Sequence, residues 1–294
     1  QRQMCIRDRV TVPAVKARKG GQKITMVTAY DVPTALIASE AGADVILVGD
    51  SLANVILGYR STLNVDLDVM IHHTAAVARA RPDPLLVGDM PWMSYHVSVE
   101  DAVRNAGRMV REGGAEAVKL EGGRKRLPVV EAILNAEIPV MGHLGLTPQS
   151  VNAMGGYRVQ GKAVEEARDM LIDALALADA GVFAIVLEGI PDVLAQTITK
   201  EVSVPTIGIG AGPDTDGQVL VFHDVLGMHG GRLPKFVRQY GDLKGQAVEA
   251  LRRFFEDVQS GDFPSDDETY HMGDEAEKAF LEGPSSDLSW PLSW

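Results

Sequence analysis

Residues 115–123 read AEAVKLEGG, a short apolar run carrying Lys119 and Glu121 and closed by two glycines. Side chains alternate across a strand, so Lys119 and Glu121 point to one side of it. The run has seven counterparts: KITMVTAYD (23–31), DVILVGDS (44–51), PLLVGDMPW (84–92), PVMGHLGLT (139–147), FAIVLEGIP (183–191), PTIGIGAGP (205–213) and QVLVFHDVLG (218–227). Amphipathic segments separate most of them, at 33–42, 67–80, 99–114, 127–137, 163–181 and 192–202, with another at 243–259 after the last. Several end at Gly, as a left-handed helix cap does. Only the link PDTDG (213–217) is too short for a helix. Alternating strands and helices predict a parallel sheet, and eight such units in about 250 residues most simply close into a (β/α)8 TIM barrel. An open doubly wound sheet is the alternative.

In a barrel, charges facing inward at the mouth can meet a substrate, and the active site lies at the carboxyl ends of the strands. Those ends offer Asp31, Asp50 with Ser51, Asp89, Lys119 with Glu121, His143, Glu188, the GIGAG turn, and His223 with Asp224. A structural ion network would also account for any one of them. Several ionisable groups converging on one mouth from different strands are costly to bury without a ligand or metal to organise them.

Clustered carboxylates favour a hard cation. Mg2+ takes oxygen ligands, usually one or two carboxylates with water and substrate, so Asp50 and Asp89 are candidate direct ligands and Glu121 a ligand directly or through water. With Cys5 as the single cysteine, a cysteine-rich zinc site and an internal disulfide are excluded. His72 and His73 are adjacent in a predicted helix and point apart, which makes them poor ligands. His143 precedes a Gly-containing turn and is a candidate functional imidazole. Glu188 ends an apolar run, where partial burial would raise its pKa and make it a usable base. GIGAGPDTDG (208–217) matches neither the P-loop nor the dinucleotide fingerprint.

Composition narrows the partners. A chain of 294 residues with 46% hydrophobic residues can bury a large core, and its formal charge of -12 argues against nucleic acid or an anionic membrane. No apolar stretch reaches the roughly 18 residues of a spanning helix, and no signal-peptide pattern begins the chain, so a cytoplasmic protein acting on small molecules is expected. Residues 1–9 read as a non-native or disordered extension, 10–263 as one catalytic barrel, and 264–294 as an acidic mobile tail.

The strings MVTAYD (26–31), VGDSLANVILGY (48–59), DMPWMSY (89–95), NAGRMVREGGAEAVKLEGG (105–123), IPVMGHLGLTPQSVNAMGGYRVQG (138–161), FAIVLEGIP and VPTIGIGAGPDTDGQVLVFHDVLG (204–227) closely resemble the 3-methyl-2-oxobutanoate (ketopantoate) hydroxymethyltransferase family. The resemblance runs from about residue 12 to residue 263. Ala53, Trp92 and Thr215 depart from it at positions of local packing.

The resemblance implies a Mg2+-dependent barrel of the phosphoenolpyruvate/pyruvate type, forming a cytoplasmic homodecamer in pantothenate synthesis. Its reaction moves a one-carbon unit from 5,10-methylenetetrahydrofolate to 3-methyl-2-oxobutanoate through a Mg2+-stabilised enolate. It assigns one Mg2+ per subunit to Asp50, Asp89 and Glu121, the keto acid to Asp50, Ser51, Asp89 and Lys119, and proton abstraction to Glu188. Apart from the resemblance, His143 is a candidate for orienting a water or the folate. A Mg2+-dependent lyase or phosphomutase acting on a pyruvate-like acid is the rival, and a non-catalytic metabolite-binding barrel the more distant one.

Overall fold

The computed structural model describes residues 9–228, 230–231 and 233–283. Eight parallel strands close into a barrel in chain order. They are β1 Ile24–Thr28, β2 Val45–Val48, β3 Leu85–Asp89, β4 Ala117–Glu121, β5 Val140–Gly145, β6 Ala184–Glu188, β7 Thr206–Ile209 and β8 Gly217–Leu220. Strands β1 and β8 close the ring, with Ile24 opposite Gly217 and Val27 opposite Leu220. The fold is a (β/α)8 barrel, as the alternation of runs predicts.

The connecting helices include Val32–Glu40, Leu67–Arg79, Val99–Arg111, Leu127–Asn135, Val164–Ala180 and Asp192–Glu201. The first three start at polar side chains that accept otherwise unpaired N–H groups. Asp66 and Ser98 cap Leu67–Arg79 and Val99–Arg111 in this way. Asp31 does the same for Val32–Glu40, its carboxylate accepting from Thr34 N–H at 2.9 Å while the Thr34 hydroxyl accepts from Asp31 N–H at 3.2 Å. Asp31 is thus a helix cap, and its place among the strand-end candidates is corrected. Helix Val164–Ala180 stops at Gly181, whose φ of 102° is the left-handed cap expected there.

No helix joins β7 to β8, as PDTDG indicates. A second correction concerns the last run: β8 ends at Leu220, and Phe222–Val225 is a short helix. Apolarity alone does not mark this break. Phe222 N–H leaves the sheet ladder and donates to Thr28 Oγ1 at 2.9 Å.

Alternation along the strands builds two cores. Inward residues such as Val45, Leu47, Leu85, Val87, Met141 and Val186 fill the barrel. Outward ones such as Ile46, Leu86, Val118, Leu120 and Ile185 pack under the helices. Both faces are therefore apolar, which is why the strands read as continuous runs. At the amino end of the barrel, Lys19 Nζ pairs with Asp216 at 2.9 Å and also donates to the Thr199 carbonyl. Beside it, Arg18 pairs with Asp44 at 2.8 Å.

The chain divides into compact units at Asp242/Leu243. The second contains helix Leu243–Ser260, which exposes Leu251, Phe254 and Phe255, and helix Asp274–Glu282. Residues 1–8 of the expected extension and residues 284–294 of the tail lie outside the described residues; Arg9 pairs with Glu116 at 3.1 Å.

Candidate active site

Because Lys119 lies two residues after the inward Ala117, it too faces inward, and Glu121 follows it at the mouth. The same alternation turns Asp89, His143 and Glu188 inward from β3, β5 and β6. Asp50 and Ser51 follow β2 directly. These seven residues line one cavity of about 1370 Å³, which opens at the carboxyl ends of the strands. Asp50, Asp89, Lys119, Glu121 and His143 each keep 5% or less of their surface exposed.

Polar contacts link the group across the mouth. Lys119 Nζ lies 2.8 Å from Asp89 Oδ1 and 3.3 Å from His143 Nδ1. Across the imidazole, His143 Nε2 lies 3.3 Å from Glu188 Oε2. On the other side, Asp50 N–H donates to Asp89 Oδ2 at 3.2 Å. Ser51 Oγ and Tyr30 OH are 2.8 Å apart. Gly145 permits the β5–β6 approach beside Glu188, since a Cβ there would lie 2.2 Å from the Glu188 carbonyl oxygen.

Protonation follows from burial and charge. Burial pushes Glu188 up to about 7, with Lys119 pulling the other way. Burial likewise raises Asp89 to about 7 against the opposing pull of Lys119, and Asp50 adds repulsion. Glu121 is held well above the usual carboxylate range by burial and by Asp50. For Lys119, burial works against the charge, but Asp89, Glu121 and Asp50 outweigh it and keep the ammonium form. His143 is pushed well below its ordinary value by burial and Lys119, so the ring is neutral. An ammonium has no lone pair to offer, so Nδ1 accepts from Lys119 and the ring proton sits on Nε2, facing Glu188.

The donor set fits a hard cation. Glu121 Oε1 is buried without a hydrogen-bond partner, and the carboxylates raise one another's proton affinity, as groups awaiting positive charge do. Among the described residues no three His, Cys, Asp or Glu side chains converge on one ion position. The arrangement therefore fits two carboxylates with remaining positions for water and substrate better than a closed protein cage.

Other candidates resolve differently. His223 and Asp224 line the cavity from the helix after β8. His73 Nδ1 lies 2.7 Å from the Tyr30 carbonyl oxygen and has a structural role. Gly210 and Gly212 of the GIGAG turn have φ of 65° and 79° and allow close approach, a Cβ on Gly210 lying 2.6 Å from the Phe236 ring. Sequence reasoning misses Gln149 and Tyr95. Both are buried in the carboxylate network, with Gln149 Nε2 donating to Asp50 Oδ2 at 3.0 Å and Tyr95 OH donating to Gln149 Oε1 at 2.6 Å. The one available signal is a polar glutamine after Pro148, beside the β5 end.

The rim differs in character from the floor. Tyr157, Phe236, Arg60, Arg158 and Lys235 line the same cavity. All five are exposed.

The family described as Ketopantoate hydroxymethyltransferase matches residues 9–266. A 3-methyl-2-oxobutanoate hydroxymethyltransferase from Moorella thermoacetica is 57% identical over 268 residues, 91% of this chain and 100% of that protein. One from Carboxydothermus hydrogenoformans is 55% identical over 91% of this chain and 98% of its own length. Among solved structures, a putative phosphonomutase from Burkholderia cenocepacia aligns with TM-score 0.58 at 14% identity, covering 84% of this chain and 98% of that one. A phosphonopyruvate hydrolase complexed with oxalate and Mg2+ aligns with TM-score 0.57 at 15% identity, covering 92% and 94%. These two likenesses speak to the fold. The sequence matches reach further: the chain belongs to the ketopantoate hydroxymethyltransferase family.

Proposed function

We propose that this chain makes ketopantoate by transferring a one-carbon unit from 5,10-methylenetetrahydrofolate to 3-methyl-2-oxobutanoate, in the cytoplasm and as the homodecamer that the family resemblance implies. The observation that carries the reading is the Glu188 carboxyl, 16% exposed and raised to about 7, in one cavity with the Asp89–Lys119 pair. A carbon acid needs a base of that strength next to a place that stabilises negative charge.

Asp50 and Asp89 are the groups suited to hold Mg2+, with Glu121 directly or through water. Bound there, the ion would supply Lewis acidity that polarises the ketone of the keto acid and acidifies its C3–H bond. Glu188 takes the C3 proton. The neutral His143 ring, held by Lys119 at Nδ1, lies with its Nε2 3.3 Å from Glu188 Oε2, beside the base. Lys119 places a fixed positive charge by the substrate carboxylate or the developing oxyanion. Ser51, paired with Tyr30, has a hydroxyl available to fix the substrate's pose.

The floor suits a small branched acid, since Leu47, Val186 and Val219 line it beside the charges. A five-carbon acid leaves much of a cavity of about 1370 Å³ for a second substrate. Exposed rings of Tyr157 and Phe236 with the cations of Arg60, Arg158 and Lys235 match a flat heterocycle bearing an anionic glutamyl tail.

The test is proton exchange at C3 of 3-methyl-2-oxobutanoate in heavy water, with Mg2+ and without folate, followed by NMR. Exchange that needs both enzyme and Mg2+ supports the reading; no exchange above the enzyme-free rate removes it.

A further inference from the structure

Gln149 sits in the turn Pro148–Ser150 after β5 and is 5% exposed. Its amide and its backbone N–H are held by buried partners. Nε2 donates to Asp50 Oδ2 and to the Met90 carbonyl, both at 3.0 Å. Oε1 accepts from Tyr95 OH at 2.6 Å. The backbone N–H donates to Glu121 Oε2 at 3.0 Å.

The amide can point only one way. Tyr95 oxygen accepts from Glu121 N–H at 3.2 Å, so its own proton is directed to Gln149. That fixes Oε1 toward Tyr95 and turns the amino group to the Met90 carbonyl and the Asp50 carboxylate, two groups that only accept. One residue thereby occupies an oxygen on each of two carboxylates that come from different strand ends. Their second oxygens remain, and that of Glu121, Oε1, is buried without a hydrogen-bond partner.

We infer that Gln149, locked by Tyr95, is the positioning residue that presents Asp50 and Glu121 to the divalent cation through one oxygen each. The inference rests on the Mg2+ reading above. Groups that orient metal ligands commonly change metal affinity by about 10–100-fold when removed, and here one residue acts on two ligands at once, on Asp50 through its side chain and on Glu121 through its backbone N–H. It also explains why a glutamine follows Pro148: a glutamate would place an acceptor against Asp50 and the Met90 carbonyl, and a leucine would leave Asp50 Oδ2 without its donor.

The experiment measures Mg2+ binding by calorimetry in the presence of 3-methyl-2-oxobutanoate for the wild type, Gln149→Met and Tyr95→Phe. Met keeps the volume and the backbone N–H to Glu121 but removes the amide. Gln149→Met is expected to bind Mg2+ at least about tenfold more weakly, and Tyr95→Phe to shift affinity in the same direction by less. Saturating Mg2+ is expected to bring C3 exchange by Gln149→Met back to within a few-fold of wild type.

Affinity within twofold of wild type in Gln149→Met overturns the inference. So does an exchange rate that stays low at every Mg2+ concentration, which would mark Gln149 as part of the general packing of the mouth. Where Gln149→Met does not fold, Tyr95→Phe carries the test, with unchanged Mg2+ affinity as the overturning result. A wild-type protein that binds no Mg2+ would instead remove the metal reading itself, which separates the two failures.

Discussion

Lys119 and Asp89 form an ion pair of 2.8 Å at the mouth of the barrel, with only 4% and 2% of their side chains exposed. Removing one partner of such a pair leaves a buried charge uncompensated, a cost of about 3–5 kcal/mol. Lys119→Met is expected to lose stability on that scale, and the double variant Asp89→Asn/Lys119→Met markedly less, measured by urea unfolding without ligand. Equal losses in the two would show that the pair's charge is not the reason.

Glu188→Gln is expected to keep keto-acid binding and to slow C3 exchange by about a hundredfold or more, the scale of a lost general base. In the wild type, exchange should rise with pH through about 7, because the base acts when deprotonated and burial raises Glu188 to that value. A flat profile from pH 6 to 8 would assign the proton transfer elsewhere.

The same residue carries a stability prediction of opposite sign. A carboxyl whose folded pKa is raised from its ordinary 4.5 to about 7 favours the folded state while protonated and loses that advantage as pH rises between those values. At pH 8, without substrate, Glu188→Gln is expected to be more stable than wild type, by on the order of 1–3 kcal/mol. The gap should close near pH 5, as read from denaturant midpoints at the two pH values.

Asp50→Asn and Asp89→Asn should each abolish the Mg2+ dependence of keto-acid binding while circular dichroism stays that of the wild type. Titration of keto acid with and without Mg2+ reads the effect directly. Retained Mg2+ dependence in either variant would exclude that residue as a ligand.

The rim makes a separate prediction. Replacing Arg60, Arg158 and Lys235 together by Ala should raise KM for a polyglutamylated methylenetetrahydrofolate by about tenfold or more and for the monoglutamate by less, since each added carboxylate loses a cation. C3 exchange, which needs no folate, should not change. An equal rise for both folates would place the tail elsewhere.

Much of this was readable in the chain. The period-two logic that set Lys119 and Glu121 on one face also holds for Asp89 and Glu188, because a barrel strand has one inside and one outside. Two positions are hidden because apolarity outweighs a local signal. The Asp31-Val32-Pro33-Thr34 sequence has the form of a helix start, yet Asp31 directly follows a β-rich run that masks it. Phe222 looks like more strand, and only the tertiary position of Thr28 reveals that its N–H is used elsewhere. Gln149 and Tyr95 were invisible for the same reason: a network spanning residues 50, 95, 121 and 149 exists only once the strand ends are brought together.

The barrel is packed with aliphatic side chains below Lys119, and ties from Arg18 and Lys19 cross its far end. The reactants of the proposed transfer would therefore share the one mouth at the strand ends, with the smaller lying beneath the larger. Under the proposed reaction, turnover is expected to follow one sequence, keto acid on first and its hydroxymethylated product off last. Tetrahydrofolate would then depart before the floor can empty, and the expected kinetic signature is competitive product inhibition between the two acids alone.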